Sequence, residues 1–427
     1  MERSSMRLQH KKKYALIIPD GGADVHRSEG RSPLAMAHIP YSDFLAREGV
    51  AGLMQTLYPD LPKESIVAQL GMLGWDPHLY YPNGRASCEL LALEDIYLKE
   101  GDLAFRANWV RMEGRVLASY NANYIFSEQS LPLVEKLNKE LRTEFPDFEL
   151  YHNGDFRNTL VMRGVGLEPR DLHCPEPHES HNVEFDVANL VSGKGIKGCA
   201  VAARINNYLS RSAQLLTTDA ANMLFPWSPS KIFYLPNFNH HTGFEGRTAL
   251  VGCMDFLHGI AKAGAMDFYE VGNGRPDTDY RGKGAKTVEL LSDGYDFVIC
   301  HINAPDEASH MGDLKLKIKS LEQLDKFIVR PIVEYFQDQP EKLGGVMIVP
   351  DHYTNYAAAH NEKTRVEAHS GHAVPFALWN GWERDDARYY NEDDVLIGKY
   401  AQEPISHLDL LQILGVRSAD REKVAVS

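Results

Sequence analysis

Seven short apolar runs, at 15–18, 232–235, 249–251, 268–271, 297–302, 346–349 and 374–379, punctuate the chain, and most are separated by segments of helical period. Runs of this length with no polar alternation mark strands covered on both faces, which is how a mostly parallel sheet flanked by helices is written. The stretch 248–271 gives the unit in full: TALVGCM, an amphipathic 255–262, a stop at Gly264, then MDFYEV, a strand–helix–strand crossover. A chain built this way forms an open α/β sheet, and such sheets bind ligands in the crevice beyond the carboxyl ends of their strands.

A length of 427 residues suits two domains, or one domain carrying a large insertion. Between about residues 77 and 203 the texture turns acidic and of mixed period, with scattered Arg, Asn and His and no repeated crossover. The expected organisation is therefore a core of 1–76 and 204–427 with an inserted α+β module at 77–203. Along 313–336, Leu314, Ile318, Leu321, Leu324, Ile328 and Ile332 fall near one helical face behind a capping Asp313, and the charges between them read as a solvated face.

The formal net charge of -14 argues against nucleic acid or an anionic membrane as partner, since both select basic surfaces. A small anionic substrate is compatible if metal or arginine is concentrated locally. Cys88, Cys174, Cys199, Cys253 and Cys300 contain no CxxC pair and are odd in number, which reads as buried reduced thiols in a cytoplasmic protein. The run 15–18 is far too short for a signal-peptide core, and no stretch approaches a membrane span.

Four strand ends carry metal-type ligands. Asp20 follows ALIIP, Asp306 and His310 follow FVICHINAP, Asp351 and His352 follow VMIVP, and His369 stands just before VPFALW. Asp306 and His310 are four apart, so one helical turn puts both on one face. Singly, such an Asp caps a helix and such a His is a satisfied side chain. Their recurrence along one sheet rim is what argues for metal. Carboxylate with imidazole suits Mn²⁺, Zn²⁺ or Fe²⁺, while oxygen ligands alone would favour Mg²⁺ or Ca²⁺. Six candidate side chains exceed what one ion needs with room for substrate. That predicts a pair of divalent ions of the kind that clamps the attacking and leaving oxygens of a displacement at phosphorus.

The order of Asp20-Gly-Gly22, then APDEASHMGD, PDHYT and HSGHAVPF resembles the alkaline phosphatase superfamily, and within it the archaeal-type cofactor-independent phosphoglycerate mutases. SPLAMAHIPYSDFLAREGVAGL, LGMLGWDP, GDLAFRANW, AANMLFPW and DTDYRGKGA extend the likeness in the same order over most of the chain. The resemblance implies an alkaline phosphatase-like core with a lid, and a serine that takes the substrate's phosphoryl group and returns it to another hydroxyl of the retained glycerate. By motif position the serine is Ser65, in KESIVAQLGMLGWDP. One ion would then rest on Asp306, His310 and His369, and the other on Asp20, Asp351 and His352 with Ser65 beside it. A serine hydroxyl ionises poorly at neutral pH, so it needs such an ion. Ser65 read alone is a helix cap, and the two roles are compatible.

The same resemblance makes Arg85, Arg106, Asn108, Arg157 and His178 candidate substrate contacts on the lid, with Lys283 in YRGKGA a comparable candidate in the core. Arginine forks match phosphate and carboxylate; the plainer reading of each is an ion pair. A closing lid would keep water from the phosphoserine. Two departures stand out: the family writes GSDTAHL and HSADPVP where this chain has ESIVAQL and HSGHAVP, so Ile66, Val67 and Gln69 replace polar residues and His372 is added.

The leading expectation is thus a metal-dependent phosphomutase (Mn, Zn or Mg) acting on 3-phosphoglycerate and 2-phosphoglycerate or an analogous phosphorylated hydroxy acid. The alternatives are a phosphohydrolase of a small phosphorylated or phosphonate-bearing acid with the same metals, and a non-catalytic homologue that binds such a metabolite.

Overall fold

The computed structural model describes residues 11–417 apart from 26–27, 94–95, 97, 178–179, 181, 217 and 361–367. The chain forms two compact units, Met1–Tyr80 with Leu235–Ser427, and Tyr81–Tyr234. The first holds an eight-stranded sheet in the order Asp267–Glu270, Thr248–Gly252, Phe297–Ile302, Lys13–Pro19, Leu343–Ile348, Val374–Trp379, Val50–Gln55, Tyr400–Ser406. All pairings are parallel except the two made by Val374–Trp379, which runs against both of its neighbours. This is the mixed, mostly parallel α/β sheet with flanking helices that the apolar runs predict. Every residue of Phe297–Ile302 and Leu343–Ile348 is buried, as helices on both faces require.

Three details differ from the sequence reading. No strand forms at 232–235; the strand lies upstream, at Met223–Ser230 in the second unit. Its Pro226 and Pro229 disguise it, and they are tolerated because among the described residues it pairs only with Leu103–Glu113 and so forms a sheet edge, where a missing N–H costs little. The helix behind Asp313, whose side chain accepts from Leu316 N, runs Leu314–Leu324 and then widens into a π-turn, Asp325–Val329, before Arg330–Asp338. Pro331 sits at that junction, where its missing N–H would break an ordinary helical ladder. Lys317, expected on the solvated face, is fully buried and bonds Asp24 Oδ2 at 2.9 Å. The period alone places it outside, but a buried carboxylate holds it inside.

In the second unit, Val116–Ser119, Leu103–Glu113, Arg157–Met162, Phe148–Gly154 and Met223–Ser230 form an antiparallel sheet, with Leu103–Glu113 flanked by three of the others. Phe105, Trp109, Phe145, Leu160, Tyr208 and Phe225 build its core. The helix Gly195–Leu215 belongs to this unit and runs through residue 203, where the sequence texture suggested a boundary. No cysteine is bonded to another; Cys88 and Cys300 are buried, but Cys199 is exposed and Cys174 and Cys253 are half-buried, so the expectation of uniformly buried thiols does not hold. No helix among the described residues is long and apolar enough to cross a membrane.

Candidate metal centre

Sheet direction explains how distant segments meet. Lys13–Pro19, Phe297–Ile302 and Leu343–Ile348 are adjacent and parallel, so Asp20, the turn leading to Asp306, and Asp351-His352 leave the sheet at one rim. Val374–Trp379 is reversed, so the segment entering it, with His369, comes to that same rim. Val50–Gln55 runs with the parallel set, and the chain beyond it leads to the helix Ser65–Met72, with Ser65 at its first turn. Asp306 and His310 share the short helix Ala304–His310.

Two carboxylate–imidazole groups result, Asp20 with Asp351 and His352, and Asp306 with His352 and His369, the candidate ligand atoms of each lying within 4.8 Å of one another. His352 Nε2 is 3.4 Å from Asp20 Oδ1, 3.6 Å from Asp351 Oδ2 and 3.1 Å from Ser65 Oγ. His310 joins the second group, with its Nε2 3.3 Å from Asp306 Oδ2 and 3.1 Å from His369 Nε2. His369 Nε2 is 3.5 Å from Asp306 Oδ1, while its Nδ1 is 2.8 Å from the Lys63 carbonyl oxygen. A carbonyl only accepts, so Nδ1 carries the proton when the ring is neutral, and the Nε2 lone pair faces the cluster.

The electrostatics favour a cation. Burial, then the charges of Asp351 and Asp306, push the Asp20 carboxyl well above the usual range, and Asp20 Oδ1 is buried with no hydrogen-bond partner. An orphaned buried carboxylate oxygen is costly unless a positive charge completes it. Burial and neighbouring His369 hold His352 well below an ordinary histidine, hence neutral, as a ligand must be. Burial opposes both charges of the Asp306–His369 pair, but His310 and His369 outweigh it and keep Asp306 ionised, and Asp306 lifts His369 to about 9. These donor sets fit divalent ions held by mixed carboxylate and imidazole ligands.

The other sequence candidates fall in several places. In the second unit, Arg85 and Arg106 share Glu89, at 3.1 and 2.8 Å. Arg106 also stacks 4.1 Å over the Trp227 ring, whose Nε1 donates to Asn108 Oδ1 at 3.1 Å. Burial, then the nearby charge of Arg85, lower Arg106 to about 10, and Arg157 adds to that effect. Arg157 itself is exposed, over the ring of Phe156. His178 lies outside the described residues. Lys283 is fully buried and its Nζ donates to the His301 carbonyl oxygen at 3.1 Å. His372 is exposed and hydrogen-bonded to Ser370 Oγ. Gln69 is fully buried and donates to Asp351 Oδ2 at 3.3 Å.

Three residues near these groups were not singled out from sequence. His301, fully buried, places Nε2 3.4 Å from Asp20 Oδ2. Thr354 bonds Asp306, and Glu89 holds the two arginines. For His301 the available signal was its position one residue before the end of a both-faces-buried strand, where an ionisable side chain needs a reason.

The model of the 2,3-bisphosphoglycerate-independent phosphoglycerate mutase family matches residues 46–222. The protein of that name from Methanosarcina acetivorans is 31% identical over 401 residues, which is 90% of this chain and 96% of its own. The chain belongs to this family. The namesake from Methanosarcina mazei is 30% identical over 417 residues, 94% of this chain and 99% of its own. Among solved structures, a Pyrococcus horikoshii protein superposes with a TM-score of 0.72, covering 98% of this chain and 100% of its own at 23% identity. The cofactor-independent phosphoglycerate mutase of Thermoplasma acidophilum does so with a TM-score of 0.56, covering 95% and 99%, also at 23% identity. These two likenesses speak for the fold. The family is one of isomerases, and its members named above cover nearly all of this chain, so the second unit is part of the shared architecture.

Proposed function

We propose that this chain is a metal-dependent phosphomutase that interconverts 3-phosphoglycerate and 2-phosphoglycerate through a phosphoserine at Ser65. The observation that carries this reading is Ser65 Oγ, 3.1 Å from His352 Nε2 and so beside the Asp20–Asp351–His352 group. Asp20, Asp351 and His352 would hold one divalent ion, and Asp306, His310 and His369 a second. When bound, such ions stabilise the serine alkoxide and the charge on the transferring phosphoryl group. Ser65 Oγ displaces the substrate's hydroxyl oxygen from phosphorus, giving phosphoserine and glycerate, and a proton passes from the serine to the departing oxygen. The other hydroxyl of the glycerate then attacks the phosphoserine phosphorus, its own proton passes to the departing Ser65 oxygen, and no phosphate is lost.

In this reading 77–203 works as a lid, nearly all of it in the unit Tyr81–Tyr234. The Arg85, Arg106 and Arg157 guanidinium groups, with Asn108 and His178, receive the carboxylate and phosphate. Arg85 and Arg106 both pair with Glu89, and the positive charge of Arg157 acts on Arg106, which suits an anionic ligand. A cytoplasmic setting belongs to the same proposal and suits five unbonded cysteines.

The surroundings of Ser65 favour keeping a second reading in play. Ile66 and Val67 are apolar, and Gln69, which donates to Asp351 Oδ2, is fully buried, so the helix behind the nucleophile offers the glycerate fewer polar groups at these positions. An analogous phosphorylated or phosphonate-bearing acid, or hydrolysis of the phosphoserine, would fit that helix. Doubly labelled phosphoglycerate decides: label retained within one molecule with no free phosphate supports the mutase, and stoichiometric phosphate release rejects it. Retention of full activity in Ser65→Ala would reject both.

A further inference from the structure

We propose that Thr354 is a positioning residue that ties the two ion-binding groups together and fixes His352 with its lone pair on Nε2, an inference that rests on the metal-dependent reading above. Thr354 is fully buried in a short ribbon, Tyr353–Thr354 against His369–Ser370, where it stands opposite His369. Its Oγ1 lies 2.7 Å from Asp306 Oδ1 and 3.0 Å from His352 Nδ1. A hydroxyl has one proton, and an ionised carboxylate can only accept. The proton therefore goes to Asp306, and the oxygen accepts from His352 Nδ1–H.

The lone pair of His352 is thereby left on Nε2, the atom directed at Ser65, Asp20 and Asp351. Asp20 Oδ1, buried and without a hydrogen-bond partner, lies 3.4 Å from that nitrogen. One side chain thus bonds a ligand of each group. Its backbone is held as well, with Thr354 N donating to Ala23 O at 3.1 Å and its carbonyl receiving Lys317 Nζ at 2.7 Å. The loop after Asp20 closes directly on it: a Cβ at Gly21 would lie 2.4 Å from Thr354 Oγ1 and 2.7 Å from Asp306 Oδ1.

The test is calorimetric titration of the metal-free full-length chain with Mn²⁺, for the native protein, Thr354→Val and Thr354→Ser. Partners that orient metal ligands are worth roughly 10–100-fold in affinity. Thr354→Val should lose that much at both groups, and Thr354→Ser, which keeps the hydroxyl, should recover it. Unchanged binding by Thr354→Val, or Thr354→Ser as weak as Thr354→Val, overturns the inference while leaving the metal-dependent reading intact. Native protein that binds no Mn²⁺ brings down both. Should Thr354→Val fail to fold, nitrogen NMR of ¹⁵N-histidine-labelled native protein decides, with His352 identified by its loss in His352→Gln. A proton on Nδ1 supports the assignment and one on Nε2 refutes it.

Discussion

Ser65 Oγ and His352 Nε2, separated by 287 residues of sequence, lie 3.1 Å apart. Replacing that oxygen removes the proposed nucleophile and leaves six carboxylate and imidazole groups in place. Ser65→Ala should lower turnover by a factor on the order of 10³ or more. It should also abolish trapping of radiolabelled phosphate on the protein while Mn²⁺ titration still shows binding.

His369 is held by a bond from its Nδ1 to Lys63 O and faces Asp306 with Nε2. His369→Ala should weaken Mn²⁺ binding at the Asp306 group more than at the Asp20 group. Two-site analysis of a calorimetric titration would show this, and equal weakening at both would contradict the assignment of His369 to one ion.

Lys317 and Asp24 form a fully buried pair 2.9 Å apart, with the lysine also reaching Ala23 O and Thr354 O. Removing one partner of such a pair costs about 3–5 kcal/mol. Lys317→Met should lose stability of that order in urea unfolding, and the double variant Asp24→Asn with Lys317→Met should recover part of it.

His407 is fully buried against Gly71 and the edge of Tyr58, and burial lowers it to about 4. A histidine depressed in the folded state binds fewer protons than in the unfolded chain, so its contribution is present above about pH 6.5 and is lost as pH falls towards 4. The loss is of the order of 3 kcal/mol, since each tenfold weakening of proton affinity is worth about 1.4 kcal/mol. Urea unfolding between pH 7 and pH 4 should show the decline, and His407→Leu should make it shallower.

Much of this was legible in the residues themselves. The strands at 15–18 and 346–349 are apolar throughout, and 297–302 is so apart from His301, because both faces are covered, and polar ligands at their ends stand out against that background. The edge strand Met223–Ser230 was hidden because its prolines argue against a strand unless one knows it pairs on one side alone. Lys317 reads as exposed from its period, since the carboxylate that buries it is 293 residues away. Thr354 was invisible for a similar reason: a threonine two residues beyond a histidine has no signature until the ribbon brings Asp306 to its hydroxyl. Residues identified by their own chemistry could be found, whereas residues that matter through a distant partner could not.

The reversal of Val374–Trp379 means that His369 is delivered by an incoming segment rather than an outgoing one. Its strand lies between Leu343–Ile348 and Val50–Gln55, pieces drawn from distant parts of the chain. An ion held by ligands from these separate segments therefore favours the assembled sheet over the unfolded chain, and its removal should lower the melting temperature.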